Sequence, residues 1–415
     1  WIYSRTGNGI MSRIAHKLMA ASGGGGGDTA IAEQSLMFEP NAHLSKNVGS
    51  ASNRKTWTWS GWVKRSEIGL SNDQVLFSAY DNSSASNSTY FAIRFLRSSL
   101  SPTDALCVNG WTSANWRITN RVFRDTAAWY HIVVAVDTTQ ASADNRIKIY
   151  INGVQETSYA SSTNNGLDQD QDLGVNAAQY HMIGAENVSS SDRYYSGYMA
   201  EVHFIDGTAL TPSSFGEINS TTNQWVAKEV TDVTYGTNGF SLKFASGELG
   251  TDSSGNGNDY GTANLADSDV MLDTPQNNFP VLNPLYPNAT AAPALSQGNL
   301  KVTGNGSNYT GVPATMGVRT GAWYWETLNK FPSGDQVTYL GIIRGTGAGN
   351  DLYVSYDSNG NVYGFGYGYS GNIRGAAGVG SASGASLETG LATYADGDVI
   401  GIAVDIPNGN LKFYK

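Results

Sequence analysis

The sequence predicts an all-β chain with two antiparallel β-sandwiches in series and little helix. Three observations lead to this prediction: short apolar runs recur between polar turns, glycine is abundant with 49 residues, and charged residues make up only 14% of the chain. Many short strands joined by tight turns have this composition, whereas long surface helices need more charged side chains. A length of 415 residues is enough for two buried cores.

Strands are predicted where apolar residues alternate with polar ones or form short continuous runs. These runs are SLMF ending at Phe38, TWTWSGWVK from Thr56, QVLFSAY from Gln74, YFAIRFL from Tyr90, and ALCVNGW from Ala105. In the second run, we expect the indoles of Trp57, Trp59 and Trp62 to lie on one face and to pack the core.

A hairpin is the clearest local signal. The run AWYHIVVAVD is followed by a polar loop and by RIKIYINGV, in which Asn152 and Gly153 supply the positive φ angles of a tight turn. Further along, small or apolar residues alternate with polar ones in GYMAEVHFID, which predicts a strand. The segment Thr211-Pro212-Ser213-Ser214-Phe215 predicts the start of a single helical turn.

The hairpin and the segment from Tyr195 to Pro212 together resemble a concanavalin A-like jelly roll of the laminin G and pentraxin type. In that family a strand carries Asp/Glu-Val-x-x-Tyr/Phe and leads to a short helical turn, and Glu201-Val202-His203-Phe204 is similar to it. The resemblance covers about residues 32–250. It implies a domain that displays a surface for binding glycans or proteins.

Two segments after this strand allow two interpretations of where the first sandwich ends. GTNGFSLKFA, ending at Ala245, predicts one more strand, and TDSSGNGNDYG from Thr251 resembles a loop that comes early in domains of the same family. Either a late strand completes the first sheet or the connector contains the loop.

The last part of the chain resembles a SPRY domain of the B30.2 family. GAWYWETL and DGDVIGIAVD are similar to two of that family's strands, and the resemblance implies that Trp323 and Trp325 pack the core and that Asp398 caps a turn. Because the family continues beyond the position of Lys415, we expect this domain to be incomplete at its C-terminus.

Four regions are therefore expected. Residues 1–27 form a flexible N-terminal arm with a glycine-rich tether, residues 28–250 form the laminin G-like sandwich, residues 251–295 form a proline-rich connector, and residues 296–415 form the SPRY-like sandwich. No signal peptide and no transmembrane run are predicted, because apolar residues near the start do not form a continuous core.

Charge and cysteine content argue against nucleic-acid binding and against an intrachain disulfide. The net charge of -10 opposes binding to phosphate backbones, so nucleic acid is not expected as a partner. The single cysteine, Cys107, cannot form an intrachain disulfide and is predicted to lie in the core.

The sequence also predicts that the chain is not an enzyme. Retaining glucanases of this fold need a Glu-x-Asp-x-x-Glu strand, which is missing here, and the five histidines show no metal-ligand spacing. Calcium is the one cofactor considered, because oxygen ligands on loops suit it. The candidate ligands occur in two acidic loops: Asp168, Asp170 and Asp172, and then Asp252, Asn256, Asn258 and Asp259.

Candidate ligand-binding residues are aromatic side chains outside the strongest strand runs. An exposed ring can stack on a sugar while neighbouring polar groups reach its hydroxyls. The candidates are Trp111, Trp116, Arg193, Tyr194 and Tyr195, with burial at strand edges as the alternative for the rings.

The segment MSRIAHKLMAASGGGGGD, residues 11–28, and the two sandwiches in series resemble structural proteins of marine bacteriophages. This resemblance implies a virion component, associated with a tail or fibre, that adheres to host-surface carbohydrate. Two alternatives stay open: a scaffold that binds virion or host-surface proteins, and a polysaccharide hydrolase. Assembly into a homo-oligomer is also left open.

Overall fold

The structure is a computed structural model that describes residues 31–80, 86–110, 115–162, 167–186, 193–285, 294–303, 312–330, 339–343, 364–375 and 386–415. The chain divides into two compact units, the first ending at Asn278 and the second beginning at Phe279. Helical structure in these described ranges is limited to the 3-10 turns Ala143–Asn145, Pro212–Ser214 and Asp267–Asp269. The all-β prediction is confirmed.

Each predicted run of the first unit contains a strand, and the structure adds further strands between and after them. The strands are β1 (Ser35–Phe38), β2 (His43–Asn47), β3 (Thr56–Arg65), β4 (Gln74–Tyr80), β5 (Tyr90–Phe95), β6 (Ala105–Asn109), β7 (Asn115–Val122), β8 (Tyr130–Asp137), β9 (Ile147–Ile151), β10 (Val154–Gln155), β11 (Tyr159–Ser161), β12 (Tyr180–Ile183), β13 (Gly197–Asp206), β14 (Gly216–Ile218), β15 (Trp225–Ala227), β16 (Phe240–Leu242), β17 (Gly261–Ala263) and β18 (Val270–Met271). Sheet I has the order β10-β9-β8-β3-β13-β1-β18, with β16 also paired to β13. Sheet II has the order β11-β7-β6-β5-β4-β12-β2-β17, and β14 pairs with β15.

The core of the first unit lies between sheets I and II. Trp57 of sheet I meets Phe91 of sheet II edge to face with 4.8 Å between ring centroids, and Phe204 stacks on Phe77 at 5.7 Å. These side chains belong to one buried apolar cluster that draws on both sheets. Alternation along each strand therefore leaves the other residues of each sheet on its outer face.

Trp62 differs from the prediction that three indoles share one face. Trp57 and Trp59 are fully buried between the sheets, whereas Trp62 packs in a separate cluster with Trp129 and Tyr198. The reason is parity: Trp62 is an odd number of residues from Trp57 and Trp59, and a continuous strand places it on the opposite face.

Late strands complete both sheets, which decides between the two alternatives for the end of the sandwich. Strand β16 pairs with β13, β17 pairs with β2, and β18 pairs with β1. Residues 251–278, assigned to the connector from their sequence, thus lie in the first unit. Their predicted linker character came from the prolines, which begin only beyond β18.

The loop Thr251–Tyr260 fastens β16 to the sandwich. One Asp252 carboxylate oxygen accepts hydrogen bonds from the backbone of Ser241 and Ser254, and the other accepts from the backbone of Asn258 and the hydroxyl of Ser254. The Asn256 amide donates to the carbonyl oxygens of Gly236 and Gly239. The family-like loop is therefore a hydrogen-bonded clamp.

The second unit contains further antiparallel sheets. Its described strands are β19 (Ala294–Ser296), β20 (Lys301–Thr303), β21 (Ala322–Leu328), β22 (Tyr339–Ile343), β23 (Gly364–Gly368), β24 (Asn372–Arg374), β25 (Ser386–Glu388), β26 (Val399–Asp405) and β27 (Asn410–Tyr414). They pair as β19-β20, β21-β26-β27 and β22-β23-β24-β25.

The second unit has its own small core, and two of the three residue expectations hold there. Trp325 packs against the buried cluster of Tyr367 and Ile402, and Asp398 accepts a hydrogen bond from the backbone of Ala395 and so caps a turn. Trp323 does not pack the core as expected, because it is 42% exposed at the beginning of β21.

Replacing Asp252 by alanine tests the clamp. Asp252→Ala leaves buried N–H donors without their acceptor, and we expect it to lower the free energy of unfolding of the first unit by about 2–4 kcal/mol. Urea denaturation followed by tryptophan fluorescence measures this change. Asp267→Ala is the matched control, since its carboxylate also accepts from a backbone N–H, that of Gly247, but is exposed. Equal losses in the two variants would contradict the clamp.

Candidate functional site

The two outer faces of the sandwich differ in what covers them. On sheet I, outward side chains such as Val133 and Ile205 are packed under Phe215 and its neighbours, and Trp62 lies beside Trp225. The segment after β13 thus uses the outer face of sheet I for its own packing. On sheet II, outward side chains of the central strands such as Val75 and Ala92 are buried as well, and exposure on this face rises towards Tyr180 of β12.

Three tyrosines form a row across the outer face of sheet II. Tyr180 is opposite Tyr80 in the β12–β4 register, and Tyr80 is opposite Tyr90 in the β4–β5 register. The rings of Tyr80 and Tyr90 meet edge to face at 5.4 Å, and Tyr180 is 42% exposed. The row offers an aromatic surface of graded exposure, from buried Tyr90 to open Tyr180.

Charged groups adjoin this row. The Tyr90 hydroxyl donates to Glu186 Oε1 at 2.6 Å, and Arg193 forms an ion pair with the same carboxylate. The backbone of Glu186 is held over the sheet because Ser78 Oγ donates to its carbonyl at 2.9 Å. We call Tyr80, Tyr90, Tyr180, Glu186 and Arg193 the outer-face cluster.

The electrostatics keep Tyr90 protonated as a donor. Burial, followed by the charge of Glu186, raises the pKa of Tyr90. Burial lowers the pKa of Arg193, but the adjacent Glu186 carboxylate outweighs this effect and raises it. Further along the same face, buried Arg94 pairs with Asp73 at 3.0 Å. The cluster thus combines fixed charges with a half-open aromatic surface.

The structure separates the predicted ligand residues. Arg193 is part of the outer-face cluster, and Tyr194 stacks on the His43 ring with 6.0 Å between centroids. Trp116 and Tyr195 do not fit the expectation of exposed rings, since both are fully buried between the sheets. Trp111 lies outside the described residues.

Burial of Trp116 and Tyr195 has local causes. Trp116 is the second residue of β7, on the core side, and packs near Phe91, and the Tyr195 hydroxyl donates to the carbonyl of Lys64 at 2.8 Å. Sequence reasoning missed Tyr80, Tyr90 and Tyr180 as site residues. Their signal was parity. Tyr80 and Tyr90 each lie next to a core residue in their strand, and Tyr180 lies three residues before core residue Ile183, so all three face outward.

The seven calcium candidates lie in two loops whose contacts the structure shows in part. Both oxygens of Asp252 already accept hydrogen bonds from N–H and O–H groups, and Asp259 accepts from the backbone of Asp252. Asp168, Asp170 and Asp172 are exposed, and Asp170 lies 3.5 Å from Lys55. Within the described ranges, no three His, Cys, Asp or Glu side chains are grouped so that they could hold a metal ion. Calcium binding by the chain stays a prediction.

Ser60 and His131 are buried and hydrogen-bonded to each other, as a catalytic serine and its histidine base would be. The ring proton of His131, however, is on the nitrogen that faces Ser60. The indole N–H of Trp225 donates to His131 Nδ1 at 3.0 Å, so the neutral ring carries its proton on Nε2. That nitrogen is 2.9 Å from Ser60 Oγ and therefore donates to it. His131 cannot accept the Ser60 proton in this arrangement.

Cys107 is a core residue, as predicted. It is fully buried, and burial raises the pKa of its thiol to about 11. A thiol in this state is a poor nucleophile near neutral pH.

Comparison with known families supports the fold. Residues 39–214 match the family model of the concanavalin A-like lectin/glucanases superfamily. This segment therefore carries a domain of that superfamily, with the lectin-like sandwich described above. No curated protein matches the sequence at a significant level.

Solved structures with some likeness cover parts of the chain. A heptameric SAP-like pentraxin from Limulus polyphemus is 15% identical over 48% of this chain and 94% of its own, with a TM-score of 0.34. A proposed carbohydrate binding protein from Bacteroides ovatus is 15% identical over 58% of this chain and 59% of its own, with a TM-score of 0.35. The enzymatically active domain of tailspike protein 2 from bacteriophage CBA120 is 8% identical over 44% and 25%, with a TM-score of 0.28. Scores this low add nothing to the assignment from the family model.

The described part of the chain has no helix that is both long and apolar enough to cross a membrane.

Two buried histidines predict how stability depends on pH. Burial lowers the pKa of His131 to about 3 and that of His181 to about 4. In the unfolded chain both take up protons below about pH 6.5, so acidification favours unfolding. We expect the free energy of unfolding to fall as the pH decreases from 7.5 to 5.5.

His181→Gln tests the assignment, because glutamine can also accept from the backbone of Asn176 and donate to the carbonyl of Gln179. Urea denaturation at several pH values should give a shallower slope for the variant, by up to about 1.4 kcal/mol per pH unit. Parallel slopes for the variant and the natural chain would show that His181 is not held neutral.

Proposed function

We propose that this chain is a non-enzymatic glycan-binding protein and that its first unit binds carbohydrate at the outer-face cluster of sheet II. The observation that carries the proposal is the row of tyrosines that ends at exposed Tyr180, next to the ion pair of Glu186 and Arg193. The coarser part, a lectin-like sandwich at residues 39–214, comes from the family model.

The chemistry of the cluster suits a sugar. A pyranose presents an apolar face, which stacks on an aromatic ring, and hydroxyls, which need nearby donors and acceptors. Tyr180 offers the ring, and the half-buried Arg193 guanidinium and the Glu186 carboxylate offer polar atoms whose positions are fixed by their own contacts. Fixed polar groups lower the ordering cost of binding.

A hydrolase is the less favoured alternative. A retaining or inverting glycosidase needs one carboxylic acid to give a proton and a second carboxylate to act as nucleophile or base. On this face, Glu186 pairs with Arg193 and Asp73 pairs with Arg94, so both of these carboxylates are matched by a cation. Such pairs suit a binding surface better than proton transfer.

The biological setting proposed is a phage virion, with the protein associated with a tail or fibre and attached to host-surface carbohydrate. Support comes from the resemblance of residues 11–28 and of the paired sandwiches to marine phage structural proteins. We also propose that residues 296–415 are a SPRY-like domain; its two motif segments form the adjacent strands β21 and β26. If this unit binds protein, the chain is a virion assembly scaffold, which is the second candidate function.

Binding of the full chain to immobilised bacterial surface polysaccharide tests the site. Tyr180→Ala removes the exposed ring, and we expect it to weaken binding about tenfold, since an aromatic contact contributes about 0.5–1.5 kcal/mol beyond the burial of its area. Tyr180→Phe keeps the ring and should bind nearly as tightly as the natural chain. Surface plasmon resonance measures all three, with calcium and with a chelator.

Tyr414→Ala is the matched control, because Tyr414 is 50% exposed on the second unit. Unchanged binding in Tyr180→Ala together with a loss in Tyr414→Ala would move the site to the second unit. Capture of virion or cell-surface protein without any polysaccharide binding would favour the scaffold, and release of reducing sugar would favour the hydrolase.

A further inference from the structure

A buried lysine on the outer face of sheet I is in contact with an amide and a carboxylate at once. Lys64 of β3 is fully buried, and its Nζ lies 2.8 Å from Asp273 Oδ2 and 2.8 Å from Asn278 Oδ1. The Tyr198 ring is nearby, with its centroid 5.9 Å from Nζ. An amine, an amide carbonyl and a carboxyl group thus meet in a mostly apolar site.

The neighbouring contacts fix both partners of the lysine. The second carboxylate oxygen of Asp273 accepts a hydrogen bond from the Trp129 indole at 2.9 Å. The Asn278 side chain donates through Nδ2 to the carbonyl oxygen of Ala127 at 2.8 Å, while its Oδ1 faces Lys64. The amide is therefore oriented with its carbonyl group towards the amine, and the acid lies beside both.

Burial also makes the lysine a better nucleophile. It lowers the pKa of the Lys64 amine, and this effect exceeds the opposing influence of the Asp273 carboxylate. Transfer of a proton from Lys64 to Asp273 would leave a neutral amine and a neutral acid, which a site of low polarity accommodates better than separated charges. A neutral amine carries the lone pair that attack on a carbonyl needs.

We propose that Lys64 and Asn278 become joined by an intramolecular isopeptide bond, with Asp273 as the group that transfers the proton. The Nζ lone pair forms a bond to Cγ of Asn278, and the bond from Cγ to Nδ2 breaks. Asp273 takes one proton from Nζ and gives one to the departing nitrogen, which leaves as ammonia. No oxidant or other reactant is needed.

The bond would be a covalent lock for the first unit. It would join the middle of sheet I to the last residue of that unit, across a sequence separation of 214 residues. With Cys107 as the single cysteine, the chain cannot make an intrachain disulfide for this purpose. Closing so long a loop restricts the unfolded chain strongly.

Intact-mass measurement of the full, folded chain tests the proposal. We expect a mass lower than the sequence mass by one ammonia molecule, and a peptide map in which trypsin does not cleave after Lys64 and a branched peptide joins Lys64 to Asn278. Asn278→Ala changes an exposed residue and should restore the mass expected for its sequence. Asp273→Asn should do the same if the acid transfers the proton.

An asparagine can also lose ammonia without a lysine, by cyclising. Lys64→Arg distinguishes this route from the isopeptide bond, because only the bond needs the Lys64 amine. The matched control is Lys55→Arg, which replaces a half-buried lysine that lies 3.5 Å from Asp170, and the ammonia loss should persist. The full sequence mass in the natural chain would overturn the proposal, and so would ammonia loss that persists in Lys64→Arg. Loss of water instead of ammonia would also overturn it, because it would make Asp273 the acceptor. If Lys64→Arg does not fold, the branched peptide of the natural chain decides alone.

Discussion

The packing of aromatic rings between sheets I and II is the interaction on which the rest of the first unit depends. Trp57, Phe91 and Phe204 lie in that layer, and the Trp57 ring contacts both of the others, which joins β3 and β13 of sheet I to β5 of sheet II. Removing so much apolar surface from water is the main favourable contribution to folding such a sandwich. Once these residues face inward, strand alternation decides which side chains face outward.

The two outer faces then take different roles. The segment after β13 returns over sheet I, where it forms β14 and β15 and places Trp225 beside His131. Strands β16 and β18 are added to the same sheet, the Asp252 clamp holds β16, and the buried Lys64 contacts Asn278, the last residue of the first unit. Sheet II has instead a face with tyrosines and arginine–carboxylate pairs. We therefore place the closure of the fold on one sheet and ligand binding on the other.

Local patterns were enough to predict the turn at Asn152 and Gly153, which has φ angles of 48° and 81°, and the strands β1, β3, β4, β5, β6, β8, β9, β13 and β16. Short apolar runs predict strands well because the pattern itself has the period of a strand. The position of Trp62 could also have been predicted, since parity alone places it away from Trp57 and Trp59.

Other features depend on pairing between distant segments, which one sequence does not record. For Trp116 and Tyr195, the structure gives burial, the alternative to exposure, because residues outside the apolar runs can still point into the core. The backbone hydrogen bonds that Asp252 accepts in the acidic loop from Thr251 become visible only once β16 is in place. The tyrosine row needs the β12–β4 and β4–β5 registers before its members become neighbours.

Hydrogen–deuterium exchange of the full chain, with and without fragments of a surface polysaccharide, tests the central claim most directly. The account predicts protection on binding in the segments around Tyr80, Tyr90, Tyr180 and Glu186, and no change in strands β26 and β27. Protection limited to the second unit, at a concentration of fragments that saturates binding, would contradict a glycan site on the outer face of sheet II.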